Sequence, residues 1–212
     1  MKKIIVALLI AATAFSCKVD SKNKVETSDA KEVKEVAAAD IAVDTTASEV
    51  NWKGFKPTGE HFGTVTITEG TLKTADGNLV GGTFTFDMNS IVVTDMPADN
   101  EYNAKLVEHL KSGDFFEVEK FPTASFEITE VAKAEAKINI SGNLTVKGIT
   151  KNITIPAAVS TVDGAMVITS DAFKVDRTEF GIQYKSTKLA DVIKEKSIDD
   201  LFEMSFIVKA SK

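Results

Sequence analysis

Chemistry on a substrate needs a nucleophile, an acid and base pair or a metal, and this 212-residue sequence is short of the side chains that supply them. Its one cysteine is Cys17, and its two histidines, His61 and His109, stand 48 positions apart. A lone cysteine forms no internal disulfide, and no His-Glu-x-x-His stretch offers paired metal ligands, so no metal site and no cofactor are expected. The sequence also lacks a Gly-x-Ser-x-Gly nucleophile elbow, a phosphate-cradling Gly-x-x-x-x-Gly-Lys loop and a Gly-x-Gly-x-x-Gly turn. Aspartates and glutamates are abundant, but they alternate with threonines as solvated strand faces do, not as the paired carboxylates of glycoside hydrolysis. The sequence therefore reads as a non-enzyme with no catalytic residues. A hydrolase built around His61 is the weakest reading.

Cys17 carries a different chemistry. Met1-Lys2-Lys3 precede an unbroken apolar run from Ile4 to Ala12, too short to span a bilayer, which takes roughly 20 residues. That is the form of a signal peptide. The small residues Ala14 and Ser16 stand just before Cys17 in the manner of a lipobox, so residues 1–16 are expected to be a lipoprotein signal and Cys17 to be diacylated. An acylated Cys17 would anchor the protein to a membrane. Lys18 follows it where an aspartate would favour inner-membrane retention, so the expected location is the outer membrane, facing the periplasm, with exposure on the cell surface as the alternative. Removal of Lys2 and Lys3 leaves 23 basic against 31 acidic residues, a net charge of about −8, which argues against nucleic acid as a partner.

Residues 17–47 are expected to be an acylated, disordered tether. From Lys18 to about Ala39 the chain is Lys, Glu, Asp, Ser, Thr and Ala with scattered Val and no aromatic residue. The helix formers between Lys31 and Ala39 allow a frayed helix instead.

Residues 48–212 read as one domain of short alternating strands. Val50 and Trp52 share a face, as do Val65 and Ile67. Phe84, Phe86 and Met88 point one way while Thr83, Thr85 and Asp87 point the other. Asp76-Gly77, Lys147-Gly148 and Gly164 mark turns, and a bulge is expected at Gly142 between Ile140 and Leu144. Ile153 and Ile155 return from the Lys147-Gly148 turn. Met166, Ile168 and Phe173 follow, and Phe202, Met204, Phe206 and Val208 form the last strand. Between Asp99 and Lys111 the period changes: Tyr102, Leu106 and Leu110 recur every four residues, predicting an amphipathic helix capped by Asp99 and closed at Gly113. A further turn or two is expected between Lys188 and Lys196.

So many antiparallel strands do not stay flat, because twist accumulates and edges invite aggregation. The expected fold is all-β with one amphipathic helix, an antiparallel lipocalin-like β-barrel of about eight strands, with a two-sheet sandwich as the alternative. The chain has 13 phenylalanines against two tyrosines and one tryptophan, an aromatic surface almost without hydrogen-bonding groups. Such a wall suits hydrocarbon. Composition alone does not say whether the rings fill the barrel or line a hollow one.

Six ordered blocks decide further. Trp52-Lys53-Gly54 leads to Gly59-Glu60-His61-Phe62-Gly63-Thr64-Val65, and Gly81-Gly82-Thr83-Phe84 leads to Asp87-Met88-Asn89-Ser90-Ile91. His109-Leu110-Lys111-Ser112-Gly113-Asp114-Phe115-Phe116 and Lys120-Phe121-Pro122-Thr123-Ala124-Ser125-Phe126 come next. Gly142-Asn143-Leu144-Thr145-Val146-Lys147-Gly148-Ile149-Thr150-Lys151 and Arg177-Thr178-Glu179-Phe180-Gly181-Ile182 complete the series. Together, from about Glu49 to Val208, they resemble the YceI-like family. The resemblance implies a lipocalin-like barrel whose apolar pore holds an amphiphile with a long polyisoprenoid tail, a quinone or a polyprenyl lipid. It assigns ligand contact to Trp52, His61, Phe62, Phe84, Phe86, Met88, Leu110, Phe115, Phe116, Phe126, Phe173, Arg177 and Phe180, with Asp114-Phe115-Phe116 near the mouth.

The polar members keep two roles open. His61 could bond a head group or satisfy nearby backbone. Arg177 could bind a phosphate or quinone oxygen or pair with Asp176, Glu179 or Asp191. His109, at the end of its helix, reads as structural. The partners implied are a long-chain apolar ligand and the membrane, with the protein a monomer or homodimer. A packed, stress-related scaffold lipoprotein that binds proteins and no lipid is the alternative.

Overall fold

The computed structural model describes residues 23–211. The expected signal peptide and Cys17 lie outside them. The elements in chain order are β1 (Thr27–Asp29), β2 (Ala39–Val43), β3 (Glu49–Lys56), β4 (Gly59–Ala75), β5 (Asn78–Val93), α1 (Glu101–Lys111), β6 (Thr123–Ala134), β7 (Lys137–Val146), β8 (Ile149–Val162), β9 (Ala165–Ser170), β10 (Phe173–Asp176) and β11 (Leu201–Ser211). Single 3-10 turns occupy Arg177–Phe180 and Lys194–Lys196.

Antiparallel pairing runs from β3 through β4, β5, β6, β7, β8 and β9 to β11, and β11 pairs back with β3. The ring of 8 strands closes, which removes the sheet edges and rules out the sandwich. Three of its hairpins turn on two residues, Asp76-Gly77, Lys147-Gly148 and Asp163-Gly164, all with positive φ. Two successive left-handed residues give the turn whose twist matches the flanking strands, and glycine takes the second position without strain.

The period of two holds along the wall. In β5, Phe84 and Met88 are buried and Phe86 partly so, while Thr83 is exposed. Gly142, expected at a bulge, stays in register opposite Ile128 and Ile153; the irregularity falls on the neighbouring strand, between Ile128 and Glu130. The absent side chain at Gly142 is instead filled by a ring: a Cβ there would lie 2.3 Å from Phe126 Cζ. The helix also starts one residue later than expected. Asn100, not Asp99, is its cap, accepting from the Tyr102 N–H, and Ser112 ends it in extended conformation in place of a left-handed Gly113.

Within the stretch expected to be a disordered tether, residues 17–47, two strands form, β1 and β2. β1 pairs with β8, and the Val25 N–H donates to the Lys174 carbonyl at 2.9 Å, so this arm lies between β8 and β10. The Asn143 side-chain amide bonds both backbone groups of Lys31, at 2.9 and 2.7 Å. β2 pairs with β4 and with the end of β11. Residues 31–38 between them carry neither strand nor helix. A polar segment becomes strand here because a standing sheet supplies its hydrogen bonds and because Val25, Ile41 and Val43 are buried. The end of the barrel at the β4–β5 hairpin is solid: Leu72 and Ala210 are fully buried beside Ile41 and Val43.

Candidate functional site

The inward face of a closed sheet collects alternate residues of every strand, and here those residues do not meet at the axis. They enclose a cavity of about 200 Å³. An apolar void of about 150 Å³ already holds a benzene-sized guest without admitting water. Along β11 the lining runs from Phe202 through Met204 and Phe206 to Val208, which at about 3.3 Å per residue is a path of about 20 Å. β5 contributes Phe84, Phe86, Met88 and Ile91; β6 contributes Ala124, Phe126 and Ile128; and β10 contributes Phe173, whose ring meets Phe206 edge to face at 6.3 Å between centroids. Leu110 from the end of α1, with Phe115, Phe116, Ile182 and Ile198 from the loops, roofs the far end.

That roof is aromatic. His109, Phe115 and Tyr184 form a mutual cluster with centroid separations of 5.0, 4.9 and 5.5 Å. His109 Nε2 also lies 2.9 Å from Asp114 Oδ2, which ties the helix end to the turn. His109 therefore holds the roof together and is itself half-exposed.

Arg177 lines the cavity but has little left to give. Its Nε donates to the Asp199 carbonyl at 3.0 Å, and its two terminal nitrogens donate to the Ile182 and Ile198 carbonyls at 2.9 and 3.0 Å. Asp200 faces the same guanidinium at 3.4 Å. Burial pushes the Arg177 pKa down, opposed by the negative charges of Asp200, Asp176 and Asp199. Its partners are thus the loop that follows it and Asp200, a residue outside the set expected from the sequence. Of that set, Asp176 bonds Lys188 at 2.9 Å instead. Burial alone would raise the Asp176 pKa, but hydrogen bonds from Thr178 and Lys188 outweigh it and hold the carboxyl below its usual range.

Trp52, Phe84, Phe86, Met88, Leu110, Phe115, Phe116, Phe126, Phe173 and Arg177 therefore converge on one space. His61, Phe62 and Phe180 do not line it. His61 Nδ1 lies 2.8 Å from Asp95 Oδ2, and Asp95 also accepts from the Phe62 N–H at 3.0 Å, so this carboxylate pins the start of β4. Burial would raise the Asp95 pKa; the Phe62 and His61 bonds bring it below the ordinary carboxylate value. Phe62 is exposed, with the Lys53 ammonium 5.6 Å from its ring centre. Phe180 is fully buried under its 3-10 turn, as core. Sequence reasoning left out the aliphatic wall: Val50, Val65, Ile67, Ile128, Ile140, Ile155 and Ile168 all line the cavity. Their alternation along each strand is a sufficient signal for that face.

A family model, the YceI-like domain, matches residues 41–210. The chain belongs to the YceI-like family. Among relatives, a UPF0312 protein of Vibrio vulnificus is 39% identical over 87 residues, which is 38% of this chain and 46% of that protein. Protein YceI of Salmonella arizonae is 37% identical over 95 residues, 42% of this chain and 47% of the relative. These alignments span about half the length of the relatives they match. Among solved structures, BcnA of Burkholderia cenocepacia superposes with a TM-score of 0.60 at 18% identity, covering 80% of this chain and 99% of that one. A polyisoprenoid binding domain from Saccharophagus degradans, implicated in plant cell wall breakdown, gives 0.58 at 13% identity, covering 82% and 99%. At such identities the likeness is one of fold: the YceI barrel.

Proposed function

We propose that this YceI-family protein is a lipid-binding module that holds an isoprenoid-type amphiphile, a quinone or a polyprenyl lipid, in its barrel. The observation that carries the reading is the hollow interior: alternate residues of the wall are almost all apolar, yet they leave about 200 Å³ between them. Self-filled barrels of this strand number exist, so an unfilled one that is also apolar favours a hydrocarbon guest over solvent. Each methylene buried there contributes about 0.8 kcal/mol, so affinity rises with tail length until the tube is full. The name of the Saccharophagus domain supports the same ligand class.

Acylation at Cys17 would anchor the barrel to the outer membrane, facing the periplasm, and keep it beside the bilayer that supplies its ligand. The strands β1 and β2 then act as part of the domain. Native mass spectrometry of detergent-free protein tests the binding role. One long-chain apolar molecule per barrel, released on denaturation, is expected; bare polypeptide that takes up no prenyl lipid would refute it. Labelling with a fatty-acid analogue tests the anchor: the wild type incorporates it and remains with membranes, and Cys17→Ala does neither. An unlabelled wild type would remove the anchor from the account.

A further inference from the structure

The ring of strands is complete only in the half of the barrel nearer the β4–β5 hairpin. There β9 joins β8 to β11, pairing with residues 157–162 of the one and 207–210 of the other. Towards the roof β10 takes its place beside β11, running from Phe173 opposite Met204 to Asp176 opposite Leu201, and it does not pair with β8. The wall is therefore split at this level. Ile153 on the β8 side and Phe173 and Val175 on the β10 side all line the cavity, so the split leads straight into it.

Among the described residues, the N-terminal arm fills this seam. Thr27, Ser28 and Asp29 pair with Ile153, Asn152 and Lys151 of β8. On the other side the Val25 N–H donates to the Lys174 carbonyl and the Lys174 N–H to the Asn23 carbonyl, both at 2.9 Å. Within residues 23–29 Val25 alone is buried, and it belongs to the core without lining the cavity. Asp29 meets the Lys151 ammonium at 3.1 Å but is almost wholly exposed, and such a pair adds little. The arm is held by a few backbone bonds, one valine and the Asn143 clamp on Lys31.

The roof is the other way in, and it is tied far more firmly. Arg177 bonds three carbonyls of its loop, the Thr187 hydroxyl donates to Asp200 at 2.6 Å, and the Asp199 N–H donates to the Phe55 carbonyl at 2.9 Å. Local opening begins where apolar contacts are fewest and backbone bonds most exposed. That place is the seam.

We infer that residues 23–29 are a side door: the arm lifts from the seam between β8 and β10, and the ligand's tail enters and leaves sideways through the wall, past Ile153 and Phe173, with the roof closed. This rests on the lipid-binding reading and adds to it the route of exchange.

Trp52 lines the cavity and is the chain's only tryptophan, so its fluorescence reports occupancy. Delipidated protein is mixed in stopped flow with a short-tailed prenylated benzoquinone, whose ring quenches the indole. Val25→Ala removes the arm's one buried anchor and should raise the uptake and release rates together, by about tenfold, with Kd nearly unchanged. Asn143→Ala, which frees Lys31 at the arm's other end, should raise both severalfold. Amide exchange run alongside should quicken in the arm and not in the ring of strands. Wild-type rates in both variants, with the arm exchanging faster, would overturn the side door. So would rates that rise in His109→Ala, which loosens the roof, and not in the two arm variants. A wild type that takes up no quinone at equilibrium contradicts the lipid reading itself, a result distinct from binding by another route.

Discussion

Enlarging a residue of a packed core strains it, whereas enlarging a residue that faces a void fills it, and Ala124 separates the two cases. It is buried on β6 opposite Phe86, and its side chain faces the cavity. At about 24 cal/mol per Å³, an empty space of about 200 Å³ represents about 5 kcal/mol of packing that the ligand-free barrel forgoes. Ala124→Leu adds three carbons. Buried in the void they are worth up to about 2 kcal/mol at 0.8 per methylene, whereas overpacking a solid core costs about 1 to 3 kcal/mol. For a domain of this size 1 kcal/mol moves Tm by about 2–4 °C. The delipidated variant is therefore expected to melt at the wild-type temperature or several degrees above it. It should also take up less prenylated quinone, and so lose the stabilisation that a saturating ligand gives the wild type. Calorimetry of both proteins, with and without ligand, reads both effects. A delipidated Ala124→Leu that melts several degrees below wild type would show that the space does not accept atoms, and the argument from hollowness would fail.

Gly63→Ala should be far more damaging than an ordinary glycine substitution, because its Cβ would stand 1.8 Å from the Val92 carbonyl oxygen, which is backbone and cannot swing away. A loss of 3 kcal/mol or more in denaturant unfolding is expected, about the upper end for overpacking; a loss under about 1 kcal/mol would mean that β4 and β5 separate easily there. Val25→Asp places a charge in the core contact of the N-terminal arm and should free that arm to protease and to rapid amide exchange up to Lys31 while the ring of strands survives; an arm still protected would contradict its docking by Val25. Asp176 has a folded pKa below its ordinary 3.8, so its contribution is present above that pH and is lost as pH falls through the lowered value. Asp176→Asn should reduce stability at neutral pH and flatten the acid limb of a stability–pH curve, and an unchanged acid limb would remove Asp176 from the balance.

The inner wall was legible because a strand must alternate: Phe84, Phe86 and Met88, and likewise Phe202, Met204, Phe206 and Val208, could only face the same way, and in a barrel that way is inward. The same reasoning went astray where side chains leave the strand period. Phe180 belongs to a 3-10 turn and packs as core, while Phe62 lies next to inward positions and so points out. The N-terminal arm carries no strand signal in sequence because β1 has no apolar face at all. Its order comes from backbone bonds to β8 and near β10 and from one buried valine, Val25, six residues ahead of Lys31, which Asn143 clamps from 112 positions away. Long-range backbone pairing of this kind leaves no local pattern to read. The role of Arg177 was open in sequence for the same reason, since its partners are mainly main-chain carbonyls of a loop that has no signature of its own.

Electron density inside the barrel is the most direct test of a lipid carrier. Crystals of protein purified without detergent should show a continuous tube of density beside β11 from Phe202 to Val208. Side chains closed across the axis, or a chain of ordered water in place of that tube, would contradict the account.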